Sequence, residues 1–174
     1  MIKSNSWLDK PFPTGLEWLD EAYKYIGQHE IKGAKTNSFI AIWLKLLNAA
    51  WHDDETPWCG TFVAHCVKSA NLPIPKNWMR ARDWLTVGTT ILKPCVGAIV
   101  VFSRDGGGHV GFVVGLDKYG NLMVLGGNQG DCVRISAFSF DRVVGYRWPS
   151  KWPKPERYRL PILNGDGTLS KNEA

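Results

Sequence analysis

The chain reads as an α+β domain, and three observations carry that expectation. Up to about residue 85, apolar residues recur at helical spacing. After residue 94 the texture changes to β-branched and aromatic runs punctuated by Gly, Asp and Asn. The connections between those runs are short, which implies antiparallel neighbours rather than parallel strands joined by crossover helices.

The elements follow in order. "TGLEWLDEAYKYIG" opens with Thr14 and Glu17 at capping-box spacing, places Leu16, Leu19, Ala22, Tyr23 and Ile26 on one face, and closes at Gly27. "NSFIAIWLKLLNAA" predicts a second helix with Ile40, Trp43, Leu44 and Leu47 inward. A third begins at Pro57 and runs toward Ala70, and a short fourth runs from Asn77 as N-cap to Leu85, with Gly88 as the stop. The strand-like runs are "GAIVVF" (97–102), "HVGFVVGL" (109–116), "NLMVLGG" (121–127), "CVRISAF" (132–138) and "RVVGYRWP" (142–149). "DKYGN" between the second and third has the composition of a hairpin turn.

The length of 174 residues fits one domain, 1–150, followed by a proline- and charge-rich tail, 151–174, that hugs the surface or hangs loose. Apolar residues at 44% and charged residues at 21% are ordinary globular composition. Nine tryptophans are more than a core this size hides easily, so an aromatic-lined groove is expected. The net charge of +5 favours an anionic partner such as cell wall. Basic residues are scattered with no run of five, which argues against a nucleic-acid arm. The N-terminal stretch "MIKSNSWLDKPFPTGLEWLD" has no apolar h-region or small-residue cleavage site, so no secretory signal is expected and the chain is placed in a cytoplasm. "FIAIWLKLLNAAW" is broken by Lys45 and too short to span a bilayer.

Cys59, Cys66, Cys95 and Cys132 show neither a CxxC pair nor zinc-ligand spacing, and no metal or other cofactor is expected. Cys59 and Cys66 would stand about 10 Å apart on a helix, beyond disulfide reach. A Cys95–Cys132 bridge stays open. In "DETPWCGTFVAHC", Thr56 as N-cap and Pro57 at N1 put Cys59 at N3. Free N–H groups and the helix dipole there favour a thiolate. Cys66, two turns deeper among Phe62, Val63 and Val67, reads as packing.

A nucleophilic Cys59 needs a base. His29 lies in a charged stretch, His52 is close in sequence, and His65 points away on the same helix. His109 follows "DGGG" and opens a strand, where a Gly-rich approach admits another backbone and the strand edge fixes the ring. If 109–116 and 121–127 form a hairpin, position 128 falls opposite 109, which nominates Asn128 as the group orienting the imidazole. Gln129 and Asp131 are the alternates. Trp58, Trp78 and Trp84 are candidate groove walls, with plain core as the competing reading. In the tail, "ILNGDGTLSKNE" sets Asn164, Asp166, Gly167 and Glu173 at calcium-loop spacing, but Ile162 holds the first ligand position, so an Asp-Gly turn is the expectation.

"DETPWCGTFVAHCVKSANLP", "GAIVVFSRDGGGHVGFVVG", "LMVLGGNQGDCVRIS" and "VVGYRWP" resemble, in order and spacing from about residue 14 to 149, the papain-like peptidoglycan hydrolases of the CHAP (cysteine, histidine-dependent amidohydrolase/peptidase) and NlpC-type families, small phage and prophage cell-wall peptidases above all. The resemblance implies a papain-like fold with the nucleophile at a helix N-terminus packed on an antiparallel sheet. It implies Cys59 as nucleophile, His109 as base and Asn128 as orienting residue. A polar donor often precedes the cysteine in such enzymes; here only Asp53, Asp54 and Glu55 stand, and an ionised carboxylate cannot donate. One of these acids, with Asp54 the candidate, is therefore expected to meet a cationic substrate group or to structure the helix start, and Trp58, Trp78 and Gly127 are expected to line the substrate. The implied function is an endolysin-like monomer acting on bacterial peptidoglycan, held in the host cytoplasm until release. An amidase effector toxin and a non-catalytic wall-binding module are the alternatives.

Overall fold

The computed structural model describes residues 13–33, 35–171 and 173. The secretory-signal reading of the first twelve residues lies outside the described residues. Three helices precede the sheet: α1 (Glu17–Tyr23), α2 (Ser38–Leu46) and α3 (Cys59–Ser69). A 3-10 turn over Ala81–Thr86 leads into β1 (Thr89–Ile91), β2 (Ile99–Arg104), β3 (Gly107–Asp117), β4 (Leu122–Gly126), β5 (Arg134–Phe138), β6 (Val143–Trp148) and β7 (Ile162–Leu163). The strand order is β1-β6-β2-β3-β4-β5, antiparallel throughout, with β7 parallel beside β3. Helices packed on an antiparallel sheet are the α+β arrangement the sequence predicts.

Several local expectations shift. Thr14 is not a helix cap: Gly15 at φ +76° turns the chain, Leu16 is the N-cap, and the Thr14 N–H and hydroxyl both donate to Asp20 Oδ1. The second helix is capped as its sequence suggests, with Asn37 Oδ1 accepting from the N–H groups of Phe39 and Ile40. Ile40, Trp43, Leu44 and Leu47 are all buried. Asn77 starts no α-helix; its amide bonds Asp83, and the segment forms the 3-10 turn instead. The sequence reading missed β1, three β-branched residues after Gly88, because so short an edge run carries no periodicity. It also missed that β6 returns across the sheet to lie between β1 and β2.

Aromatic side chains join the helical layer to the sheet. Phe62 of α3 meets Phe112 of β3 edge-on at 6.4 Å between ring centroids, and Trp43 of α2 packs on Phe62 at 5.7 Å. Trp18 of α1 packs edge-on against Trp148 at 5.2 Å and donates its indole N–H to the Gly97 carbonyl. Elsewhere in the sheet Phe102 stacks on Phe138 at 4.5 Å. Removing any one of these buried rings would cost about 3–5 kcal/mol. The segment after residue 160 follows the sheet: β7 pairs with β3, Leu169 bridges to Ala137, and Ser170 donates to the Ala137 carbonyl.

Two glycines set how closely α3 approaches. A Cβ on Gly60 would strike the Trp78 and Met79 carbonyls, and one on Gly127 would strike Phe62 and Trp58. Backbone carbonyls cannot swing aside as a side-chain tip can. Gly60→Ala should therefore push the first turn of α3 outward and destabilise the fold by about 1–3 kcal/mol, read as a lowered Tm with slower alkylation or activity at Cys59. An unchanged Tm would show that the first turn has slack.

Candidate active site

The helix that carries Cys59 starts two residues later than the sequence suggests. The Thr56 N–H and hydroxyl are bound to Asp53 Oδ1 in a turn, Trp58 is the N-cap, and Cys59 is the first helical residue rather than the third. The thiol is 4% exposed. Burial raises its pKa, opposed by the backbone N–H groups of Val110 and Gly60 directed at the sulfur and by the charge of Arg104. The expected thiolate is thus not the resting form; desolvation outweighs the helix N-terminus.

Val110 directly follows His109, which pairs with Phe102 where β3 begins. The imidazole is fully buried, stacked on Phe138 at 5.4 Å with 7° between the planes and beside Phe102 at 6.3 Å. Its Nε2 lies 2.9 Å from Gln129 Oε1. The Gln129 amide is fixed because its Nε2 donates to two backbone carbonyls, Val124 at 3.1 Å and Arg134 at 2.8 Å. Flipping that amide would set oxygen against oxygen, so Oε1 accepts and His109 Nε2 carries the proton. The lone pair then sits on Nδ1, which is buried and has no hydrogen-bond partner. Burial lowers the His109 pKa to about 4, against upward pulls from Gln129 and the Glu173 carboxylate. The thiol and the imidazole are both buried and both neutral at rest.

The amide bonded to His109 Nε2 is that of Gln129, the alternate to Asn128. The observed pairing of Phe112 with Leu125 extrapolates to 109 opposite 128, but β4 stops at Gly126 and Asn128 adopts φ +57°. The chain turns there, and the next side chain, Gln129, folds back over Gly126, where a Cβ would collide with it and lie 3.3 Å from His109 Nε2. The residues expected to meet substrate are largely buried in this structure. Asp54 is 1% exposed, and its Oδ2 accepts the N–H groups of Ile31 and Asn37, bracing the loop before α2. Trp58 is buried against Trp43 with its indole N–H on Glu30; Trp78 packs on Trp51 and accepts from Trp84 at its carbonyl. Trp84 is core, and Gly127 is the contact point for Trp58 and Phe62.

The other histidines serve elsewhere. His65 bonds Glu21 and Tyr25 and stacks on Trp43, while exposed His29 lies 3.7 Å from the Cys132 sulfur. All four cysteines are free thiols. Asp166 closes a turn onto the Thr168 N–H, and the Glu173 carboxylate is bound by Arg142, so neither stands ready as a calcium ligand. An open groove of about 790 Å³ reaches Gln129 between β5 and residues 164–171, with Lys118, Arg134 and Lys171 among its walls. Sequence reasoning missed Arg104 and Arg142, whose charges both act on His109.

A cysteine at the start of a helix, packed on an antiparallel sheet that presents a histidine with an amide at its Nε2, is an α+β arrangement consistent with a papain-like fold. Residues 51–128 match the family model of the CHAP domain, a span that contains Cys59, His109 and Asn128. Proteins of that family are generally cysteine-dependent amidases or peptidases. No curated protein matches the chain.

The buried histidine has a consequence for stability. Its folded pKa is lowered from 6.5 to about 4, so the folded state binds fewer protons than the unfolded state between those values. Stability is fully present above pH 6.5 and is lost as pH falls toward 4. The Glu173 carboxylate, held below its ordinary value of 4.5 by Arg142 and His109 despite burial, adds a further loss at the acid end. The Tm should fall between pH 6.5 and 4 in the wild type and follow a flatter slope there in His109→Gln. Equal slopes in thermal melts would show that His109 is not the titrating group.

Proposed function

We propose that the protein is a peptidoglycan hydrolase that cleaves an amide of the stem peptide by a thiol mechanism, with Cys59 as nucleophile, His109 as base and Gln129 as the residue that orients it. One observation carries this reading: Gln129 holds His109 in the Nε2–H tautomer, leaving an unpartnered lone pair on Nδ1 in the residue next to Val110, whose backbone N–H favours the Cys59 thiolate. The match to the CHAP domain family supports the same chemistry.

Nδ1 takes the thiol proton as the scissile carbonyl approaches. The thiolate formed is held by the Val110 and Gly60 N–H groups and the α3 N-terminus. The imidazolium formed is held by Gln129 and by the Glu173 charge. Attack on the carbonyl gives a tetrahedral oxyanion, for which the Cys59 backbone N–H at the first helical position is the nearest donor of the fold. His109 returns its proton to the leaving amine, then activates a water that releases the acyl group from Cys59. The basic groove beside Gln129 and the net charge of +5 suit an anionic wall polymer. No helix among the described residues is long and apolar enough to cross a membrane. On this reading the chain is an endolysin-like monomer that waits in a host cytoplasm for access to the wall.

Clearing of a cell-wall suspension tests the chemistry, and mass spectrometry of the released muropeptides identifies the bond. Cys59→Ala should abolish clearing, and retained clearing would overturn the thiol mechanism and favour a wall-binding module. Gln129→Ala should lower kcat roughly tenfold or more with KM little changed, because the tautomer is no longer fixed. A larger loss in Asn128→Ala than in Gln129→Ala would return the orienting role to Asn128.

A further inference from the structure

We propose that Arg104 and Arg142 form a subsite for a substrate carboxylate, and that Glu173 of the same chain occupies it as an internal stand-in. The inference rests on the thiol-hydrolase reading and names one subsite of it.

Glu173 is 3% exposed, an unusual burial for a carboxylate. Its two carboxylate oxygens take Nη1 and Nη2 of Arg142 at 3.1 and 2.8 Å, the parallel fork by which arginine recognises a planar anion. Its backbone carbonyl accepts from Arg104 Nη1 at 2.8 Å. The cradle is built independently of Glu173: Arg142 Nε donates to the Ser103 carbonyl at 3.2 Å, and its guanidinium lies 5.9 Å from the Phe102 ring and 5.5 Å from the Phe138 ring. Those same two rings flank the His109 imidazole. Arg104 also keeps a buried Nε donor that Glu173 does not use. The Arg104 charge acts on both the Cys59 thiol and His109, and the Arg142 charge acts on His109.

A donor set that is rigid, set on the two rings that flank His109 and only partly used by its occupant suits a ligand with more acceptors than Glu173 offers. The segment that delivers Glu173 is lightly held, by a two-residue strand, one bridge and a few carbonyl bonds. Displacing it by a free carboxylate exchanges one arginine–carboxylate pair for another, so little electrostatic stabilisation is lost. Stem peptides carry free carboxylates beside the amides of their backbone. Docking one on Arg142 and Arg104 would lift Glu173 away and open the covered imidazole at the same moment.

Alkylation of Cys59 by iodoacetate and by iodoacetamide, located by peptide mapping, separates a carboxylate subsite from a simple cover. The two reagents transfer their methylene carbon to sulfur with loss of iodide and differ in the carboxylate. In Glu173→Gln the ratio of the iodoacetate to the iodoacetamide rate should rise at least fivefold over the wild type. Adding Arg142→Gln should return the ratio to the wild-type value. Glu173→Asp, which keeps the charge but shortens the reach, should give a smaller rise of the same sign. Equal acceleration of both reagents, or an unchanged ratio in Glu173→Gln and Glu173→Asp alike, would overturn the proposal. The readout needs no peptidoglycan cleavage, so failure to digest cell wall would sink the proposed function while leaving the subsite to be judged by these rates.

Discussion

The hydrogen bond between His109 Nε2 and Gln129 Oε1 is the constraint on which the site depends. A neutral imidazole in a fully buried position has two tautomers, and nothing in the ring itself chooses between them. The choice is made two bonds away, where the Val124 and Arg134 carbonyls claim both protons of the Gln129 amide. Val124 lies in the middle of β4 and Arg134 opens β5, so the tautomer is in effect set by how these two strands are placed. Gly126, without a side chain, leaves the room the amide needs. A larger residue there would displace Gln129, and the base would lose its definition before any reacting atom moved.

The resting site is electrically quiet. Desolvation raises the Cys59 pKa and lowers that of His109, which widens the gap that proton transfer has to cross. Two neutral groups are also the cheapest way to bury this pair, since an ion pair in the same place would carry a desolvation cost of several kcal/mol per charge. The groups able to reverse the balance are already in position around the pair: N–H donors at the sulfur, Gln129 at the ring and the Glu173 carboxylate nearby. Arg104 and Arg142 work against the imidazolium, while Arg104 also favours the thiolate. Reactivity is therefore decided by which charges remain once a ligand has entered.

Much of this was legible in the chain. Helical spacing found the three α-helices, β-branched runs found five of the strands, and the Gly-rich approach to a strand start singled out His109. The hairpin register placed 128 opposite 109; the observed pairing runs from Leu116 with Leu122 to Phe112 with Leu125 and ends before those positions. What register cannot convey is the positive φ of Asn128, which turns the backbone and sends Gln129 back over the sheet. The cap of α3 was misplaced because Thr56-Pro57 satisfies every local rule for a helix start, yet Asp53 captures the Thr56 N–H first. Asp54 was read by its charge beside Cys59; its burial depends on loop N–H groups 17 and 23 positions away, at Asn37 and Ile31. Arg104, Arg142 and Glu173 meet across separations of 31 to 69 residues, where no spacing rule reaches.

The placement of β6 between β1 and β2 bears on how the molecule comes together. The run from β2 to β5 pairs each strand with its chain neighbour, so it can close by short loops, and it brings His109 and Gln129 into register with local contacts alone. The union of Trp18 with Trp148 and the seating of β6 against β1 demand far larger loops and come at a higher entropic cost. On the growing chain, α1 to α3 are exported before any strand exists to receive them. Their apolar faces, Phe62 included, have no sheet to pack on until β3 is made. The nucleophile is the first part of the site to be made, and on the nascent chain its thiol is open to chemical attack for as long as the strands that bury it are still to come.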